Sequence, residues 1–201
     1  MEASVTDAIR RILSAHPKKP IDDSSLFPAG VMLLLYKKDG DYCVLLNKRS
    51  THVEHHKGEI SFPGGGKDAA DDTLRDTAIR ETHEEMGILP EDIEVLGELD
   101  DIATRSRFLM RPYVGTIPYP YDFKPFAAEV AEVIEVPISH LLNEENHRDE
   151  VRIVNGELSY SPAYAYDGHV VFGATARVLK QFLELLETAP DKEALWKTKQ
   201  P

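Results

Sequence analysis

Apolar residues recur at helical spacing near both ends of the chain. Residues 4–15 and residues 174–187 carry them at i, i+3, i+4 and i+7, the pattern of an amphipathic helix. The first set is Val5, Ala8, Ile9, Ile12 and Leu13, and the second is Val178, Leu179, Phe182, Leu183 and Leu186. The pattern predicts an N-terminal helix and a packed C-terminal helix.

Two short, almost continuously apolar runs follow a proline-containing connector at residues 16–28. Residues 31–36 and 42–46 flank the polar segment 38–41, which predicts two strands joined by a tight turn. Because the runs show little polar alternation, we expect both strands to be buried on both faces.

The rest of the chain alternates strand-like and helix-like segments. Residues 58–66 predict a strand that enters a glycine-rich loop, and a helix is expected over 71–86, ended by Gly87. Further strands are predicted at 93–99, 108–117 and 130–136. A hairpin around Asn155-Gly156 is predicted to join residues 151–154 to residues 158–160. A proline-rich loop is expected at 118–125 and a short helix at 137–142. This mixture indicates an α/β fold.

Length and composition favour a single domain. The 201 residues are 42% apolar and show no repeat or linker, so we expect one domain over 1–201, with a core at about 28–187, a helix at 4–15 and a polar tail at 188–201. The apolar run at 31–36 is too short to cross a membrane, and we expect a cytoplasmic protein without membrane partners. The lone Cys43 excludes an internal disulfide and is expected to be a buried, inert thiol.

The charge is acidic, with 23 Lys+Arg against 35 Asp+Glu and a net charge of −12. This balance argues against nucleic-acid partners. Part of the excess lies in the predicted helix 71–86, where Glu81, Glu84 and Glu85 share an arc of about 100°. Their mutual repulsion would become binding energy for a divalent cation, and oxygen ligands suit Mg²⁺ or Mn²⁺. The alternative is a solvated acidic face.

Arg80 lies four residues after Asp76 and four before Glu84, a spacing that lets it tether carboxylates. The glycines at 64–66 bring backbone close to the start of this helix, so a main-chain carbonyl is a further candidate for the metal site.

Residues 66–88 resemble the Nudix box, G-x5-E-x7-R-E-U-x-E-E-x-G-U, in which U is aliphatic. The matching residues are Gly66, Arg80, Glu81, Glu84, Glu85, Gly87 and Ile88. Two positions depart from the motif, since Thr82 replaces an aliphatic residue and Asp72 replaces the glutamate that is expected to pair with Arg80.

This resemblance implies an α/β/α sandwich with a mixed central sheet that hydrolyses nucleoside diphosphates linked to another group. It implies that Glu81 and Glu85 are the main metal ligands, with Glu84 and the Gly66 carbonyl assisting, and that Arg80 orients the glutamates. The required cofactor would be Mg²⁺ or Mn²⁺. The base that takes a proton from water is left open between Glu81 and Glu129.

Residues 45–65 resemble the second signature of coenzyme A pyrophosphohydrolases, LLTxRSxxxRxxxGxxxFPGG. The matching residues are Leu45, Leu46, Arg49, Ser50, Gly58, Phe62, Pro63, Gly64 and Gly65. Asn47 replaces the threonine and Glu54 replaces the second arginine, and residues 173–176 resemble a later stretch of the same subfamily. The candidate substrate-binding residues are Arg49, Ser50, Lys57, Gly64 and Gly65. A purely structural role for Arg49 and for the loop is the alternative.

The resulting hypothesis is Mg²⁺-dependent hydrolysis of CoA or a CoA thioester to 3′,5′-ADP and a 4′-phosphopantetheine product. The alternatives are another nucleoside diphosphate derivative, such as ADP-ribose, and a Nudix-fold module that binds without turnover. The intact glutamate set disfavours the binding module. A homodimer is possible, with the N-terminal and C-terminal helices as candidate surfaces.

Overall fold

The computed structural model describes residues 5–52 and 56–189. Within these residues the helices are α1 (Val5–Ala15), α2 (Leu74–Met86), α3 (Ile138–Leu142) and α4 (Gly173–Glu187). The strands are β1 (Phe27–Lys38), β2 (Asp41–Arg49), β3 (Ile60–Ser61), β4 (Gly64–Gly66), β5 (Glu94–Glu98), β6 (Ile102–Ala103), β7 (Phe108–Thr116), β8 (Val130–Pro137), β9 (His147–Val154), β10 (Glu157–Tyr166) and β11 (His169–Val171).

The main sheet is mixed, as expected. Its order is β3-β2-β1-β7-β5, with β4 added to β1, β6 to β7 and β8 to β2. The pair β1 and β7 is parallel, and the other pairs of this sheet are antiparallel. Strand β1 is therefore central, which explains why its sequence is continuously apolar.

Helices cover both faces of the sheet. Along β1, Leu33 and Leu35 belong to the cluster that contains the apolar residues of α1 and α4, and Leu34 belongs to the cluster beneath α2. This arrangement is the predicted α/β/α sandwich. Cys43 is buried in the cluster beneath α2, and burial raises the pKa of its thiol to about 11, as expected for an inert thiol.

Strand β1 shares one edge between two partners. Its residues 35–38 pair with β2, and residues 29–31 pair with β4, which is the glycine segment itself. The expected glycine loop is therefore partly a strand. Helix α2 lies directly against this region, because a Cβ atom on Gly30 would stand 2.1 Å from the Leu74 carbonyl oxygen.

Most predicted elements are present, and the differences lie at their ends. Helix α2 begins at Leu74, later than the predicted start at 71, because Thr73 and Asp76 form a capping box that fixes the first turn. Gly87 ends the helix in the left-handed conformation, with φ 68°. The short strands β6 and β11 were not predicted.

A smaller antiparallel sheet has the order β11-β10-β9. Its hairpin turns at Asn155-Gly156 as predicted, but the strands extend over 147–166. His140 contacts the Ala165 carbonyl oxygen at 2.9 Å, which attaches this sheet to α3.

Three sequence-based expectations fall partly or wholly outside the described residues. They are the polar tail beyond Ala189, Glu54 with its departure from the signature, and the first residue of the predicted N-terminal helix. The proposed division into core, helix and tail stays a prediction. Residues 5–52 and 56–189 contain no helix that is long and apolar enough to span a membrane.

Candidate active site

The three glutamates of α2 lie at different depths. Glu85 is buried, with 3% of its surface exposed, Glu81 is half-buried, and the Glu84 side chain is 56% exposed. Along the predicted acidic arc, the side chains therefore pass from the protein core to solvent, next to the glycine strand β4. Glu81 packs so closely on Gly65 that a Cβ atom there would lie 2.5 Å from the Glu81 carboxyl carbon, so a side chain at 65 would displace the Glu81 carboxylate.

Glu85 receives two hydrogen bonds on one carboxylate oxygen. Asn47 Nδ2 donates at 2.9 Å and the Gly64 backbone N–H at 3.2 Å, both to Oε2. The other oxygen, Oε1, lies 3.7 Å from Arg49 Nη1. Burial raises the pKa of Glu85 to about 7, although the Gly64 N–H, Arg49 and Asn47 oppose this rise.

Asn47 is a site residue whose role sequence reasoning missed. Its side chain is buried on β2, and Ser61 Oγ donates to its Oδ1 at 2.6 Å, which directs the amide nitrogen toward Glu85. The sequence showed Asn47 only as a departure from a signature. A polar amide directly after the apolar run 42–46 was the available signal, because a buried amide requires hydrogen-bond partners.

Arg80 connects the glutamates to the glycine strand. Its Nη1 donates to Glu81 at 2.8 Å and to Glu84 at 3.0 Å, and its Nη2 donates to the Gly66 carbonyl oxygen at 3.3 Å. The predicted tether to Glu84 is present. The predicted tether to Asp76 is absent, because Asp76 accepts hydrogen bonds from Thr73 in the capping box.

Asp71, and not Asp72, is the main carboxylate partner of Arg80. Arg80 Nε and Nη2 donate to the two Asp71 oxygens at 3.0 and 2.9 Å. Asp71 is buried, and it also accepts from Thr77 Oγ1 and the Asp68 N–H, whereas Asp72 is exposed. The pairing expected for Asp72 is thus displaced by one residue. The Arg80 hydrogen bonds hold the pKa of Asp71 well below its usual range, against the effect of burial.

Glu129 lies in the loop before β8, and Ser50 holds that loop in place. The Ser50 N–H donates to the Glu129 carbonyl oxygen at 2.7 Å, and Ser50 Oγ donates to the Ala128 carbonyl oxygen at 2.5 Å. The Phe126 N–H donates to the Glu85 carbonyl oxygen at 2.9 Å, which fastens the same loop to α2.

The charges of Glu84 and Glu129 act on Glu81. Burial raises the Glu81 pKa first, Arg80 opposes this rise, and Glu84 and Glu129 add to it. The two candidate bases, Glu81 and Glu129, therefore share one electrostatic environment.

The remaining candidate substrate-binding residues differ in their burial and in their contacts. Arg49 is partly buried beside Glu85, and its Nε is buried without a hydrogen-bond acceptor among the described residues. Gly64 already donates its N–H to Glu85. Lys57 is exposed and makes no hydrogen bond or ion pair with another described residue, so the structure does not bring it to the glutamates.

The donor chemistry fits a hard divalent cation, with three carboxylates and the Gly66 carbonyl oxygen at one edge of α2. In the part of the chain that the structure describes, however, no three acidic, histidine or cysteine side chains already stand in an arrangement that could hold a metal ion. Glu81, Glu84 and Gly66 are instead bridged by Arg80. Metal binding at this cluster thus requires these carboxylates to turn from Arg80.

Comparison with known proteins gives consistent matches. A family model described as the NUDIX domain matches residues 26–154. An uncharacterised Nudix hydrolase NudL of Enterobacter sp. is 34% identical over 141 residues, which cover 70% of this chain and 73% of the relative. The NudL protein of Photorhabdus laumondii is 28% identical over 186 residues, or 92% of this chain and 98% of the relative.

Among solved structures, a NUDIX hydrolase from Alicyclobacillus acidocaldarius superposes with a TM-score of 0.54 at 18% identity, covering 81% of this chain and 93% of that chain. A MutT/nudix family protein from Enterococcus faecalis gives a TM-score of 0.53 at 14% identity, covering 96% of this chain and 75% of that chain. At these identities the likeness shows the fold.

Proposed function

Because the chain belongs to the Nudix hydrolase family, whose members hydrolyse pyrophosphate bonds, we propose that its substrate is CoA or a CoA thioester. The products are then 3′,5′-ADP and a 4′-phosphopantetheine derivative. One observation carries the proposal: the segment 45–65 that resembles the CoA signature places Asn47, Arg49 and Gly64 directly around Glu85. The signature and the acidic helix thus form one site.

The residues that would hold Mg²⁺ or Mn²⁺ are Glu81 and Glu85, with Glu84 and the Gly66 carbonyl oxygen assisting. When bound, such an ion neutralises pyrophosphate charge and lowers the pKa of an attached water. The guanidinium of Arg80 holds Glu81 and Glu84 beside the Gly66 carbonyl oxygen before binding, and the two carboxylates would exchange these hydrogen bonds for the cation.

Proton removal falls to a carboxylate at the mouth of the site. Glu81 and Glu129 are both retained as the base, since burial and the neighbouring negative charges raise the pKa of Glu81 and since Glu129 is held by the loop that Ser50 fastens. Ser50 contributes to this site by positioning the loop, because its hydroxyl already donates to Ala128.

Phosphate recognition is assigned to Arg49 and to the exposed rim. The Arg49 side chain is 25% exposed beside Glu85, so part of its guanidinium group remains open to a phosphate oxygen. The Gly64-Gly65 backbone lies against Glu85 and Glu81 with no side chain in between, so a pyrophosphate can approach the carboxylates closely. Lys57 would meet the more distant 3′-phosphate from the exposed loop.

The test is turnover of a substrate panel by the purified full chain with Mg²⁺. CoA, an acyl-CoA, dephospho-CoA, ADP-ribose and NADH are compared by kcat/KM, with products identified by mass spectrometry. We expect CoA or acyl-CoA to exceed dephospho-CoA, which lacks only the 3′-phosphate. A preference for ADP-ribose would replace the CoA assignment, and no turnover of any compound would favour a binding module.

A substitution at Glu85 tests whether the assigned metal site is required for turnover. Glu85→Gln should abolish turnover and leave the unfolding transition unchanged, because the amide replaces a charged metal-ligand oxygen by a neutral group of nearly the same size. Glu187→Gln, an exposed change at the end of α4, is the matched control and should retain the wild-type rate. Full activity of Glu85→Gln would mean that the metal site is wrongly assigned.

A further inference from the structure

The hairpin of β9 and β10 exposes an apolar face. Ile153 lies opposite Leu158 and Val151 lies opposite Tyr160, so the four side chains share one face of the pair. Each is more than half exposed, and Ile153 reaches 74%. A contiguous apolar patch of this kind is typical of an interaction surface.

The same hairpin ends in an edge strand with backbone groups available for pairing. Among the described residues, β9 pairs with β10 alone. The two-residue turn has positive φ at Asn155 and Gly156, as in a type I′ hairpin, which makes Val154 and Glu157 a hydrogen-bonded pair. By alternation the N–H and C=O groups of Asp149, Val151 and Ile153 point away from β10.

The charges along β9 are self-complementary. Glu150 and Arg152 flank Val151 and form an ion pair within the chain. In an antiparallel pairing of two β9 strands centred on Val151, Glu150 of each strand stands opposite Arg152 of the other. The outward backbone groups of Val151 then bond their own copies, and Asp149 faces Ile153. Backbone direction and side-chain charge thus favour the same register.

The hairpin carries little of the chain's net negative charge, so two copies can approach each other there with little repulsion. Over 147–166 it carries two arginines against three carboxylates, whereas the chain as a whole has a net charge of −12. The exposed positions of α4, one of the dimer surfaces suggested by sequence, are all charged and offer no apolar contact, which favours the hairpin over that helix. They are Arg177, Lys180, Glu184 and Glu187.

We propose that a second copy of this chain docks on the β9 edge, antiparallel and with its twofold axis at Val151, which joins the two small sheets into one of six strands. The exposed apolar faces then become neighbouring parts of one surface. This inference concerns assembly and does not depend on the substrate assigned above.

A charge exchange tests the register. Glu150→Arg gives a strand with arginine at 150 and 152, and Arg152→Glu gives one with glutamate at both positions. We expect sedimentation of the full-length chain to give a dimer for wild type, a monomer for each variant alone, and a heterodimer when the two variants are mixed. Glu91→Arg, an equal charge change at an exposed remote site, should remain dimeric.

A second variant tests the backbone contact without altering charge. Val151→Pro removes an outward N–H and leaves the β9–β10 ladder intact, so it should also yield a monomer with unchanged circular dichroism. A wild-type monomer at several hundred micromolar overturns the proposal. So does a dimer that resists all three strand variants, which would place the interface elsewhere.

Discussion

At the scale of single residues, the buried carboxylate of Glu85 depends on a neighbouring strand. Asn47 on β2 supplies its shortest hydrogen bond, and Ser61 on β3 fixes the direction of that amide. The relation joins positions 38 residues apart in sequence. Local patterns therefore could predict the glutamate from its helical spacing, but they could not predict the strand residue that orients it.

Replacing Asn47 should weaken metal binding. Asn47→Leu removes the donor and leaves Glu85 with the Gly64 N–H, and loss of such an orienting partner typically costs about 10- to 100-fold in metal affinity or activity. Titration calorimetry with Mn²⁺ and the Mg²⁺ concentration for half-maximal turnover measure the effect. Asn47→Thr, which restores the residue of the signature, is the control and should lose less. Equal affinity in wild type and Asn47→Leu would contradict this role.

The displaced partner of Arg80 gives a direct comparison of adjacent residues. Asp71→Asn weakens two charged hydrogen bonds to Arg80, each worth about 1.5–3 kcal/mol, so we expect a loss of about 2 kcal/mol in the free energy of unfolding and a lower kcat. Asp72→Asn makes the same charge change at an exposed position and should leave both quantities unchanged. Urea unfolding and steady-state kinetics distinguish the two, and a larger effect at Asp72 would refute the assignment.

At the scale of elements, sequence periodicity succeeded where the signal is local and long. Helices α1 and α4 and strands β1 and β2 were predicted because a dozen residues of helix, or a run of apolar residues, carries its own pattern. Strands β6 and β11 are two and three residues long and form only because β7 and β10 are already in place, so no pattern encodes them. The start of α2 was misplaced because the cap, and not the apolar spacing, decides it.

Asp101 links elements that sequence patterns treat separately. Its side chain is fully buried between the connector before β1 and strand β7, where it accepts from Arg111 Nε at 2.8 Å, from Arg111 Nη2 at 2.9 Å and from the Ile21 N–H at 3.1 Å. Burial alone would raise the pKa of Asp101, but these hydrogen bonds prevail and lower it.

Breaking this link should destabilise the fold in a pH-dependent way. Asp101→Asn leaves Arg111 without its charged partner, which we expect to cost about 3 kcal/mol near pH 7. Because the folded pKa is depressed, the contribution is present above the unfolded value of about 3.9 and is lost as pH falls through the folded pKa. The difference in the free energy of unfolding between wild type and Asp101→Asn should therefore narrow below about pH 4. Asp122→Asn, an exposed control, should have the same free energy of unfolding as wild type at every pH in urea unfolding.

At the scale of the whole molecule, the distribution of charge matters more than its sum. The net charge of −12 repels an anionic substrate, while the carboxylates gathered on α2 are the proposed ligands for a cation. From the sequence alone the sum was certain and its location on one helix face was predictable. What the sequence did not show is that Arg80 bridges those carboxylates to one another and to Gly66.

Salt should therefore accelerate capture of a highly charged substrate. Raising the ionic strength from about 0.01 to 0.15 M shortens the Debye length from about 30 to 8 Å and screens the body of the protein. With Mg²⁺ saturating, we expect kcat/KM for CoA to rise by a few-fold, and less for dephospho-CoA, which carries less charge. A fall with added salt would show that local attraction at the site dominates the encounter.

The parallel pairing of β1 with β7 also has a consequence for biosynthesis. Phe27 lies beside Phe108 in that pair, so about 80 further residues must be synthesised before the central strand can pair along one of its edges. At about 5–20 residues per second, the ribosome takes roughly 4–16 s to supply it. During that interval β1, whose buried stretch is apolar on both sides, is an incomplete sheet edge on the nascent chain and a natural substrate for chaperones.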